Sequence, residues 1–99
     1  IADGTFTLEK NKYWWKVHLH NVKLSDSANA NKVYKIANMT NSYRYTVKTF
    51  PFLIFSQYGE EKGIGVGYIY YNTVSIVPNV NILTTDTIRA RAMIMVDDE

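Results

Sequence analysis

The sequence predicts an all-β chain, an antiparallel β-sandwich of about seven or eight strands. Several stretches alternate apolar and polar residues with period 2, and turn-forming clusters separate them at short intervals. No stretch keeps a helical period over three turns, which favours a sandwich or barrel over a plan of parallel strands joined by helices.

The elements follow in order. Residues 5–8 alternate as a short half-buried strand would. Over 13–20, Tyr13, Trp15, Val17 and Leu19 share one face while Trp14, Lys16, His18 and His20 share the other. Beyond Asn21 the apolar residues are Val22 and Leu24, so the parity changes. A β-bulge or a strand end near Asn21 is expected.

Residues 25–32 are small, polar and Asn-rich, and read as a loop. A short strand at 33–37 and a turn-like cluster at 38–42 precede a strand at 43–50, where Tyr43, Tyr45, Val47 and Thr49 face one way. Pro51 lacks a ladder donor, so the run at 52–58 should begin a new strand or lie on an edge. After the turn at 59–63, the strand at 64–71 carries Gly63, Gly65 and Gly67 on one parity and Ile64, Val66, Tyr68 and Tyr70 on the other. The bare glycine side invites a large side chain or another backbone to lie close. Short strands at 73–77 and 80–83, broken by Pro78-Asn79, lead to a last strand at 88–96. There Ile88, Ala90, Ala92, Ile94 and Val96 oppose Arg89, Arg91, Met93 and Met95.

With 99 residues, 46% of them hydrophobic and 14% aromatic, the chain can build one core as a single domain. Its start at Ile1 reads as a processed chain or a piece of a longer one. A net charge of +2 spread over scattered Lys and Arg argues against nucleic acid as a partner. No apolar run approaches the length that spans a bilayer. The absence of cysteine rules out disulfides and thiolate metal sites, and leaves the compartment open.

Residues 63–96 resemble fibronectin type III and related immunoglobulin-like domains of bacterial and phage surface proteins. The likeness rests on Gly67-Tyr68-Ile69-Tyr70, followed by a Thr-rich turn and an Arg-Ala strand in Thr84-Thr85-Asp86-Thr87-Ile88-Arg89-Ala90-Arg91-Ala92. It implies an immunoglobulin-like sandwich serving as a spacer, adhesion or assembly module, extracellular, at a cell surface or in a virion, and carries over no functional residues. The first half departs from that layout: the Trp14-Trp15 pair comes too early, and a final strand would have to follow Glu99.

Chemistry-bearing candidates are few. His18 and His20 project from one face and could supply two metal ligands, a third being a carboxylate. A solvated polar face beside Lys16 is the plainer reading. The serines sit in no nucleophile-elbow pattern, and Gly63-x-Gly65-x-Gly67 lacks the lysine and helix of a phosphate loop. Asn38-Met39-Thr40 is a sequon of the kind that an Asn-rich chain produces by chance, and Asp97-Asp98-Glu99, a calcium candidate with Asp3 or Glu61, reads as a solvated tail.

Neighbouring strand residues face opposite ways, so Trp14 and Trp15 cannot both be core, nor can Tyr70 and Tyr71. Trp14, Tyr43, Tyr45, Tyr70 and Tyr71 therefore form the candidate binding surface. The first functional reading is a non-catalytic structural or adhesive module whose partner is a protein or a second copy, with no cofactor. The alternatives are a carbohydrate-binding module stacking sugars on these rings, and a small metal-dependent enzyme built on His18 and His20.

Overall fold

The computed structural model describes residues 2–95, and of residues 39–46 the backbone alone. The chain is all-β. Its strands are β1 (Asp3–Lys10), β2 (Trp14–Lys23), β3 (Tyr34–Phe55), β4 (Glu61–Pro78) and β5 (Thr87–Met95). They form one curled antiparallel sheet in the order β1-β2-β5-β3-β4. None of the described residues is helical, and no helix is long and apolar enough to cross a membrane.

Among the described residues, five strands take up what the sequence divides into about eight. The turn-like residues 38–42 lie inside β3, whose register against β4 slips between Asn38 and Lys48. Pro51 also lies inside β3, opposite Val66. It is tolerated there for a local reason. The Ile64 backbone faces away from β3, exchanging bonds with Asn79 at 2.9 Å each, and the alternation of ladder groups makes Val66 face away too. Pro51 must then point toward β5, but the pairing of β3 with β5 covers only Leu53, Ile54 and Phe55. No ladder bond is lost where β5 has already diverged.

The inner face of the curl holds the core. β2 contributes Trp15, Val17 and Leu19, then Val22 beyond the expected bulge. At that bulge Asn21 takes a φ of 45°, and the β2–β5 register shifts between Leu19 and Val22. Gly4, at φ 84°, lies against the Asn21 carbonyl, where a Cβ would collide.

The glycine face of β4 proves to be its core face. The buried rings of Phe50 and Phe52, on β3, lie over Gly67 and Gly65, their cross-strand partners, and occupy the space a Cβ would need. Each ring buried this way contributes roughly 1.5–3 kcal/mol. A second left-handed residue, Tyr71 at φ 54°, changes the parity of β4, so Ile69 before it and Val74 and Ile76 after it all point inward.

Beyond β4 the chain folds back. Asn79 pairs with Ile64, and Ala28 bridges to Ile82, closing the end of the curl. Buried Asp86 organises the following turn: its carboxylate accepts from the Leu83 amide at 2.8 Å and from the Lys62 ammonium at 2.5 Å.

Candidate functional site

Two surfaces stand out on the outer face of the sheet. The first is a cleft of about 580 Å³ lined by His18, His20, Asn21, Leu53, Phe55, Arg89 and Arg91, among others. Strand pairing builds it. His18 lies directly opposite Arg91, while the bulge leaves His20 and Asn21 together facing Arg89. Arg89 is held twice: its Nε donates to Asn21 Oδ1 at 2.7 Å, and its guanidinium lies 4.5 Å from the centre of the Phe55 ring. The His18 and His20 rings meet edge to face at 5.4 Å.

The histidines therefore share a face, as their spacing predicts. Among the described residues no group of three His, Cys, Asp or Glu side chains converges on a metal position. Two guanidiniums in the same cleft raise the cost of a cation there. Glu9 lines a smaller adjoining hollow with Thr7, Lys16, His18 and Arg91.

The second surface is the outer face of the β3–β4 ribbon. Leu53 lies opposite Ile64, Pro51 opposite Val66 and Thr49 opposite Tyr68, with Val47 and Tyr70 beyond. Ile64 is 53% exposed, Val66 40% and Leu53 39%, so an apolar double column faces solvent. No charged residue occurs between Gly63 and Pro78.

Among the described residues, Trp14 and the Tyr70–Tyr71 pair lie on different parts of the sheet. Trp15 is core and Trp14 half-buried, with the Lys16 ammonium 5.9 Å above its ring. Tyr70 and Tyr71 lie on β4, with β5 and β3 between them and β2. Both are exposed, because the left-handed Tyr71 breaks the alternation and brings the rings to 4.3 Å, edge to face. A hydrogen bond with Tyr71 raises the Tyr70 phenol above its ordinary range. Tyr43 pairs with Tyr71 in register, but the side chains of Tyr43 and Tyr45 lie outside the described residues, as do those of Met39 and Thr40 in the sequon and all of residues 96–99.

Sequence reasoning missed the apolar ribbon and the arginines of the cleft. The 64–70 alternation was the signal for the first: bare glycines filled by rings from β3 make that side the core and leave its apolar partners outside. Arg89 and Arg91 stood on the polar side of their strand, but only the β2–β5 pairing places them against the histidines. No protein-family model, curated protein or solved structure matches this chain.

Proposed function

We propose that this chain is a non-catalytic assembly module, joined to a second copy of itself through the outer face of β3–β4 and the adjoining edge of β4. The observation that carries the reading is the apolar double column of Leu53, Pro51, Ile64 and Val66 on a ribbon whose core lies on its other side. Contiguous exposed apolar surface of this kind marks interaction sites.

The edge supplies direction. Strand β4 ends the sheet, and the backbones of Val66 and Tyr68 face outward from it. Sheet edges are ordinarily protected by charges or proline, and from Gly63 to Val77 this strand has neither. Two such edges meeting antiparallel would satisfy each other's donors and join the two apolar columns, with no like charges opposed. The layout of residues 63–96, with its similarity to immunoglobulin-like modules of surface and virion assemblies, supports the same reading.

Sedimentation velocity tests it. The unmodified chain should show a concentration-dependent dimer, and Val66→Lys should be monomeric, with the parent's melting temperature at concentrations where the parent is monomeric. A chain that stays monomeric throughout, or a Val66→Lys variant that associates equally well, would overturn the proposal.

A further inference from the structure

We infer that the cleft between β2, β5 and β3 is a binding site for a phosphate or sulfate ester whose organic part rests on Leu53 and Phe55. Arg89 and Arg91 leave the outer face of β5 two residues apart, about 7 Å along the strand. His18 faces Arg91, and His20 lies beside Arg89. Four nitrogen-bearing side chains thus converge from two strands, and no carboxylate lines this cleft.

The arginines are differently prepared. Arg89 is fixed by Asn21 and Phe55, which commits its Nε but leaves both Nη groups for a ligand. Such a preset guanidinium loses little freedom on binding. Arg91 has no hydrogen-bond or ion-pair partner among the described residues, so an oxyanion there displaces no existing contact.

Geometry separates this ligand class from a simple carboxylate. A carboxylate presents two coplanar oxygens, suited to one guanidinium fork. Two arginines two residues apart on one strand, with an imidazole alongside, can approach a ligand from different sides, which suits the oxygens of a tetrahedral ester. The exposed Leu53 and half-buried Phe55 at the rim supply an apolar floor, and the volume suits a small organic ligand.

The test is an NMR titration of the isotope-labelled chain with phenyl phosphate, phenyl sulfate, inorganic phosphate and sodium acetate, following the Arg Nε–H and His ring signals. The two phenyl esters should give saturable shifts at Arg89, Arg91 and His18, with tighter binding than inorganic phosphate and little response to acetate. The tighter of the two esters identifies the anion. Arg91→Gln should weaken binding about tenfold or more at an unchanged melting temperature, the usual effect of deleting a charged hydrogen-bond donor. Backbone-amide shifts spread evenly around exposed Lys10, Lys12 and Lys32, failure to saturate, or an Arg91→Gln variant binding as well as the parent would each overturn the proposal. Leu53 borders both surfaces, so association would narrow the cleft, and a Val66→Lys monomer should bind these esters at least as tightly as the parent.

Discussion

The two halves of the sheet share one core but present opposite chemistry to solvent. Outside β1, β2 and β5 stand mostly polar residues, Thr5, Thr7, Glu9, Lys16, His18, His20, Arg89 and Arg91, with Trp14, Met93 and Met95 at one end. Outside β3 and β4 stand Thr49, Pro51, Leu53, Ile64, Val66 and Tyr68. An antiparallel sheet needs only one apolar face to fold, so the first arrangement is the ordinary one. The second has no role in the described core and calls for another explanation. On the proposed reading, folding and association use opposite faces of the same two strands.

Substitutions on the two faces of β3–β4 give the sharpest test of that division. Phe52→Ala should cost about 3–5 kcal/mol in denaturant unfolding, because the ring fills the space over Gly65 and leaves a cavity when removed. Ile64→Thr, on the outer face, should change stability by no more than about 0.5 kcal/mol at concentrations where the chain is monomeric. If the outer substitution costs as much as the inner one, Ile64 is packed within the single chain and the contrast fails.

A polar counterpart tests what joins β4 to the turn before β5. Asp86→Ala should destabilise the fold by roughly 3 kcal/mol, because it leaves the Lys62 ammonium and the Leu83 amide without their shared acceptor. Lys62→Met should cost less than Asp86→Ala, since the Leu83 amide keeps its partner. Equal losses would mean that the ion pair, rather than the cap on the turn, carries the stabilisation.

Local sequence made some of this legible and hid the rest for identifiable reasons. The parity change after Leu19 announced the bulge at Asn21, and the spacing of Gly63, Gly65 and Gly67 announced a strand face filled by other residues. Both signals lie within one strand. The continuity of β3 through residues 38–42 was hidden, because Asn and Ser favour turns locally, while the pairs Asn38–Thr73 and Tyr43–Tyr71 carry β3 across the segment. The equivalent parity change from Ile69 to Val74 and Ile76 was present, but Asn72 made it read as a break between strands. The cleft was hidden most deeply, since His18 and Arg91 meet only through the β2–β5 pairing, across most of the chain.

Asn21 links the two kinds of information, and its substitutions separate them. Its backbone needs a positive φ, which asparagine and glycine accept and a β-branched residue resists. Its side chain holds Arg89. Asn21→Val should therefore cost about 1–3 kcal/mol in unfolding. Asn21→Gly should keep stability within about 0.5 kcal/mol, since glycine adopts the left-handed conformation without a Cβ. Both variants remove the amide oxygen that fixes the guanidinium, so both should weaken ester binding in the cleft. If Asn21→Gly binds phenyl phosphate or phenyl sulfate as tightly as the parent, the bulge shapes the fold alone, and the preset geometry of Arg89 contributes nothing to recognition.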